Sequence, residues 1–506
     1  MDSRDAPLKK FVLYCTIIAA LGAGNSGVNT SALNIPGAYV RNCPNVAPGV
    51  QTYFKNSPMP QCLPMGDWVW GVCNGLFAIG GLIGAIANQY LMDSFGRRDS
   101  MLFMNVTFFI GAILLSCSVH AAMFAIGRLF IGVGSGFMTC VVGVYVSEIA
   151  PAKFRGALTS CLQLLTTCGI LIIELIGLGL NSPVGWRVAC IITIAPTIVQ
   201  MVLLPTTCRS PRWLISKNRI DEARVEFLKL RNGDIESEFT DMILGITKGG
   251  EEAKPAPEND KDSAGFDNGK SEAAGVTGES EEQLSLMQVM SIGVLASLCM
   301  KIFVVHALSQ LTGINAIMYY STTIFENSFG TSARYVTVGV GALNVVITVV
   351  GLSLVDRLGR KILLLISTAG MTVFQVIMVP AMKYNIGALQ VVCIMLYVAS
   401  FAVGYGMVPF ILVSECFPTY AVGACSSACL AINWLCNFII GLVFPAMLSG
   451  MGAYAFIIFA ALAFVAFIFI FIFIPETKGK TLDELGRHLG WYGIDVSAEL
   501  AKKGKN

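Results

Sequence analysis

Charge is what this chain has least of. Aspartate, glutamate, lysine and arginine make up 13% of its 506 residues, against roughly 25% in a soluble protein of ordinary composition. The net charge is +2, so no global field favours nucleic acid as a partner. Histidine is rarer still, at three residues, and no CxxC pair or histidine cluster suggests a metal. No nucleophile–base pair, cofactor loop, repeated filter or charged ring appears, which argues against an enzyme, a bound cofactor or a channel. A cleavable leader is not expected: "MDSRDAPLKK" is polar, and the apolar run behind it outlasts a signal h-region.

What is present is apolar. Hydrophobic residues make up 55% of the chain and the mean hydropathy is +0.69. A bilayer crossing needs about 20 mostly apolar residues. Runs of that kind fall at 11–35, 67–91, 101–119, 122–147, 157–180, 187–205, 289–325, 333–355, 362–382, 387–413, 424–446 and 451–474. Twelve is even, so both termini share one face. Lys9, Lys10, Arg97, Arg98, Lys153, Arg155, Arg357, Arg360, Lys361, Lys478 and Lys480 fall on that face; the opposite loops hold only Arg41, Lys55, Arg187, Arg334 and Lys383. The positive-inside bias predicts cytosolic termini.

The predicted fold is an all-α membrane protein of twelve transmembrane helices in two pseudo-symmetric six-helix bundles, with short intracellular helices. A cytosolic N-terminus (1–10) precedes the first bundle (11–205). A cytosolic linker (206–288) joins it to the second bundle (289–474), and a cytosolic tail (475–506) follows. In the linker, "SPRWLISKNRIDEARVEFLKLR" has helical apolar spacing and mixed charge, whereas 249–283 is acidic, poor in apolar residues and expected to be disordered. The loop 36–66 is polar and exofacial. It holds Cys43 and Cys62, a candidate disulfide if that loop faces an oxidising compartment. Most other cysteines lie in apolar runs and read as small packing residues.

The two halves repeat. "DSFGRR" (93–98) returns as "DRLGRK" (356–361), and "VSEIAP" (146–151) as "VSECFP" (413–418), each pair at the equivalent span ends. One such turn is ordinary positive-inside charge; two in register are an internal repeat. We expect an inner charge network of Asp93, Arg97, Arg98, Glu148 and Arg155, matched by Asp356, Arg360, Lys361, Glu415 and Glu476. In that network Asp93–Arg98 and Asp356–Lys361 would clasp the inner ends, each contact contributing on the order of 1 kcal/mol to a two-state balance.

"GRLFIGVGSGF" (127–137), "YVSEIAPAKFRGAL" (145–158), "QLLTTCGILI" (163–172), "SPRWL" (210–214), "QLTGINAIMYYST" (310–322), "DRLGRK" (356–361), "NWLCNFIIG" (433–441) and "PETKGKTLDEL" (475–485) stand in this order. Together they resemble the sugar porters of the major facilitator superfamily. "NTSALNIP" (29–36) is most similar to the facilitative glucose transporters and their fungal relatives.

Polar side chains inside spans are costly and hence functional candidates. A sugar site also calls for neutral donors and acceptors beside an aromatic face. Gln163, Gln310, Asn315, Asn344 and Asn433 supply carboxamides, which the resemblance matches to the family's sugar contacts; Tyr319, Trp434 and Phe410 supply rings. "LTGIN" is expected to break the seventh span at Gly313. The chain departs from the family at Ser309, where a second glutamine is usual, at Arg209, where glutamate is usual, and in "FAVGYGMVPF", where a Gly/Pro-rich stretch ends in Pro-Trp. The arginine usual after the second Ser-Glu turn is missing from "PTYAVGAC".

Proton-coupled members carry an aspartate in span 1, paired with the arginine found here as Arg128; this chain has Asn29 there. An amide cannot shuttle a proton, so the reading is facilitative uniport of a hexose by alternating access, by a monomer in the lipid bilayer, most simply the plasma membrane, with the vacuole or another internal membrane as the alternative. The alternatives are a proton-coupled sugar or polyol carrier using Glu174 or His306, and a non-transporting nutrient sensor. The short tail argues against the sensor.

Overall fold

The computed structural model describes residues 7–43, 46–47, 49–180, 182–251, 284–480, 482–492, 494 and 496–501. Most of the acidic stretch expected to be disordered, 252–283, therefore lies outside the described residues. Everything else is helix and connection, with an isolated antiparallel bridge, Tyr53 to Pro60.

Among the described residues, eleven apolar helical stretches are long enough to cross a bilayer. The last, Tyr420–Phe473, has 54 residues, roughly 80 Å as one straight helix against a hydrocarbon core of about 30 Å. It turns back at Gly452–Tyr454, which separates Thr419–Met451 from Ala455–Phe473. The crossings are therefore twelve. Spans 1 to 5 are Lys10–Ser31, Asp67–Phe95, Arg97–Ser116, Ala121–Ile149 and Arg155–Gly179. Span 6 comprises Gly185–Ile192 and Ile194–Leu203, and span 7 Gly293–Leu311 and Ile314–Phe329. Span 8 is Ala333–Leu358, span 9 Arg360–Lys383, and span 10 Gly387–Val403 with Val408–Cys416. Spans 11 and 12 are the two helices flanking Gly452. The chain is an integral multi-pass membrane protein: helices satisfy their own backbone groups, which is the condition for crossing hydrocarbon.

Two faces result. The turn face carries the charged turns and both ends of the described chain. There Lys9 Nζ donates to the Leu228 carbonyl at 3.0 Å, and Trp491 Nε1 to the Cys416 carbonyl at 3.0 Å. Short helices Pro211–Ser216, Ile220–Leu230 and Glu236–Glu251 pack against this face around Trp213, Phe227 and Phe239. The amphipathic spacing of the linker has its cause in that small core.

The loop face carries residues 36–66. A disulfide joins Cys43 to Cys62. The loop is tied to span 6, and through Arg187 to the end of span 3: Trp186 Nε1 donates to the Gln61 carbonyl at 3.0 Å, and Arg187 to the carbonyls of Pro60 (2.8 Å) and Ser116 (2.6 Å). Replacing both Cys43 and Cys62 by serine should lower the unfolding temperature by several degrees. Closing a loop with that separation of 19 residues constrains the unfolded chain by about 3 kcal/mol. Thermal unfolding in detergent measures it, and an unchanged midpoint would deny the brace any weight.

Candidate functional site

The halves, spans 1–6 and 7–12, meet along three seams, each of which has a named contact toward the loop face. In the first, Ser31 Oγ at the end of span 1 donates to the Met318 carbonyl at 3.1 Å. Asn34 follows: its Nδ2 donates to Ser321 Oγ at 2.8 Å and to Glu174 Oε1 at 3.4 Å, and its Oδ1 accepts from the Thr322 N–H at 3.2 Å. In the second, span 2 lies on span 11 with almost no gap. A Cβ placed on Gly71 would stand 2.2 Å from the Leu442 carbonyl oxygen, and one on Gly81 2.4 Å from the Trp434 ring. In the third, Glu174 of span 5 abuts Gly341 of span 8. Small residues allow helices to approach this closely without water. The halves are thus shut at the loop face.

Toward the middle, span 7 breaks where the sequence places Gly313, which has φ +96°. A Cβ there would meet the Phe459 ring at 2.7 Å, so both conformation and space require glycine. Gln310 and Asn315 flank the break, and Asn315 Nδ2 donates to Gln310 Oε1 across it. Tyr319 is buried and donates to Asn437 Oδ1 at 2.9 Å. Trp434 is buried edge-on to Phe77, centroids 5.8 Å apart, and Phe77 meets Tyr319 likewise at 6.5 Å. Asn433 Nδ2 and Trp434 Nε1 are buried without a hydrogen-bond partner among the described residues. Both are neutral donors, of the kind that pairs with a hydroxyl or carbonyl oxygen. Gln163 is half-buried and has no side-chain bond among the described residues; Asn344 is buried, and its carbonyl takes the Thr348 hydroxyl at 2.7 Å.

Phe410 is 47% exposed and stands edge-on to His306, centroids 5.0 Å apart. His306 is buried with Nε2 3.2 Å from the Pro409 carbonyl, and its Nδ1 has no hydrogen-bond partner among the described residues. Glu174 sits in the closed seam, and its Oε2 has no hydrogen-bond partner among the described residues.

Asn34 and Asn437 were not singled out from the sequence as site residues. Asn437 had a signal, since it follows Asn433 by one helical turn. Asn34 lay inside the "NTSALNIP" stretch, but only the fold shows which helix it meets.

The charged turns form a network, though not the expected clasps. Arg97 pairs with Glu148 at 2.9 Å, and Glu148 also accepts from Ser210 Oγ at 2.5 Å. The repeat does the same: Arg360 pairs with Glu415 at 2.8 Å, and Glu415 accepts from Thr477 Oγ1 at 2.5 Å. Both groups close within one half, binding spans 3 to 4 and 9 to 10, so neither of these pairs clasps one half to the other. The Asp93 side chain is 59% exposed and among the described residues pairs only with Arg97, at 3.8 Å. Arg98, one residue further round the helix, turns away to Asp99 at 2.8 Å and the Thr207 carbonyl at 3.1 Å. Lys361 caps the Phe471 carbonyl at 2.9 Å; the Asp356 side chain lies outside the described residues. Arg155 is exposed, without an ion pair among the described residues; the charges acting on it are those of Arg212, Arg231 and Glu238. Glu476 accepts from the backbone N–H groups of Arg360 (2.9 Å) and Lys361 (3.1 Å), capping the start of span 9.

With this geometry in view, comparison with known proteins is decisive. The family described as "Sugar (and other) transporter" matches residues 15–489. The chain belongs to that family. It is 32% identical to the facilitated glucose transporter member 3 of solute carrier family 2 from Oryctolagus cuniculus, over 94% of this chain and 92% of the relative. Member 4 from Bos taurus is 33% identical over 92% and 88%, and member 7 from Homo sapiens 32% over 96% and 91%. Among solved structures, the xylose transporter XylE from E. coli in a partially occluded inward open conformation superposes with a TM-score of 0.72. That match is at 23% identity and covers 94% of this chain and 100% of XylE. At that identity the likeness shows the fold, that of a major facilitator.

Gly71→Val should keep spans 2 and 11 apart at the loop face. In a Cys117→Ser background, Ser31→Cys should then react with an impermeant thiol reagent from the loop side about ten times faster than with Gly71 intact. Equal rates would show that this seam does not seal the face.

Proposed function

We propose that this chain carries a hexose across the plasma membrane by facilitative uniport, as a monomer with cytosolic termini. The turn face is then cytosolic, and closure at the loop face makes this the inward-facing member of an alternating-access cycle. The relatives named as facilitated glucose transporters support the substrate class. Neutral carboxamides and rings support it chemically, because hydroxyls are recognised by uncharged donors and acceptors.

The observation that carries uniport is the surroundings of Arg128. Its guanidinium is buried, lies 4.6 Å from the Phe77 ring centroid, and donates to the Asn29 main-chain carbonyl at 3.0 Å. The Asn29 amide itself donates to the Asn25 carbonyl at 2.9 Å. No carboxylate meets Arg128 among the described residues, so a proton has nowhere to bind beside it.

A second reading, proton-coupled transport of a sugar or polyol, rests on Glu174 Oε2 and His306 Nδ1, both buried without a hydrogen-bond partner among the described residues. One experiment separates the two. Proteoliposomes should equilibrate radiolabelled hexose without a proton gradient, and an inward gradient should not raise the plateau; accumulation above equilibrium would establish coupling instead. In the same assay Gln163→Ala and Asn315→Ala should each cut uptake about tenfold, the scale of one or two lost hydrogen bonds, while insertion is unchanged. Full uptake in both would remove them from the solute path.

A further inference from the structure

A helix that breaks inside a membrane leaves backbone carbonyls without their i+4 donors. Span 7 breaks between Thr312 and Ile314, and one of the freed groups is the Thr312 carbonyl. It accepts two hydrogen bonds, from Gln375 Nε2 of span 9 at 2.8 Å and from Tyr397 Oη of span 10 at 3.1 Å. Thr312, Gln375 and Tyr397 are 0%, 3% and 2% exposed. Both lone pairs of this oxygen are therefore engaged by side chains that are not among the solute-facing candidates. On the adjoining residue the Phe459 ring of span 12 leaves no room for a Cβ at Gly313. Spans 9, 10 and 12 thus hold one peptide unit.

That unit lies between the two carboxamides of the candidate site. Gln310 is two residues before Thr312 and Asn315 three after, and their side chains bond across the break. Rotation at Thr312–Gly313 would swing one carboxamide relative to the other. It would also swing the segment from 314 onward, which carries Met318, Ser321 and Thr322 of the closed seam.

We propose that Gln375 and Tyr397 are positioning residues: by holding the Thr312 carbonyl they set the spacing of the Gln310 and Asn315 carboxamides, and so which hexose stereoisomer fits. The role rests on the sugar-transport reading. Because both donors share one acceptor, each covers for the loss of the other, and their effects on recognition are more than multiplicative.

The test compares Gln375→Leu, Tyr397→Phe and the double variant in proteoliposomes. KM and maximal rate for labelled hexose are measured, with competition by a panel of epimers. Each single change should raise KM roughly twofold, and the pair roughly tenfold or more, the scale of a lost hydrogen bond becoming an unsatisfied buried carbonyl. The ranking of epimers should narrow in the double variant. A role confined to stability would lower the amount of folded carrier and the maximal rate and leave KM and ranking untouched; that result overturns the proposal. If the double variant does not insert, the KM values of the two single variants decide: a rise in both upholds the role, and an unchanged KM in both overturns it. Wild-type protein that takes up none of the hexoses would sink the transport reading itself, an outcome distinct from unaltered variants of a working carrier.

Discussion

One carboxamide holds the arrangement that the rest of the molecule depends on. Asn34 stands just beyond span 1 and bonds to Ser321 and Thr322 on span 7 and to Glu174 on span 5. In water such bonds would contribute little, because solvent offers the same partners. Buried between two apolar bundles they have no substitute, so they are made together or water must enter. Around them the glycines of span 2 let span 11 approach to backbone contact. A seam of this kind has two stable conditions, dry and shut or wet and open, and little between. That bistability is what an alternating-access carrier requires.

The charged turns serve a different end. Arg97, Glu148 and Ser210 repeat as Arg360, Glu415 and Thr477, down to the guanidinium reaching back to a carbonyl five residues earlier, Met92 in one half and Val355 in the other. Each group keeps neighbouring spans in step within its half, so that the half moves as a body. The repeat is imperfect at one informative place. Glu476, just before Thr477, caps the start of span 9. Its counterpart before Ser210 is Arg209, which reaches Asp99 at 3.1 Å and Glu222 at 3.9 Å. In the first half Asp99 instead receives both guanidinium groups, Arg209 on Oδ2 and Arg98 on Oδ1, so Arg98 faces Asp99 and not Asp93.

Much of this was legible in the residues. Hydrocarbon imposes one rule, long apolar helices, and the runs announce them; even the Gly313 break is written in "LTGIN". The repeat of charged turns was equally plain. Side-chain direction was less so. Arg97 and Arg98 are adjacent in sequence yet point about 100° apart on a helix, and composition does not say which one faces Glu148. Carboxamides in spans could be found, but not whether they face solute, a helix break or a seam. Gln375 and Asn34 proved to serve the last two. Helix ends also escaped: span 11 runs from Thr419 to Met451, well past the apolar run 424–446, because small and weakly polar residues continue the helix without adding hydropathy.

The central claim is reciprocal motion: what shuts at one face opens at the other. It is tested most directly by paired electron spin-resonance distances in the reconstituted protein. One label pair joins Lys55 to Tyr384 across the loop face, and another joins Lys217 to Arg357 across the turn face. Adding a transported hexose should populate a longer loop-face distance and a shorter turn-face distance in equal proportion. Distances that lengthen together, or one face that moves while the other stays fixed, would contradict it.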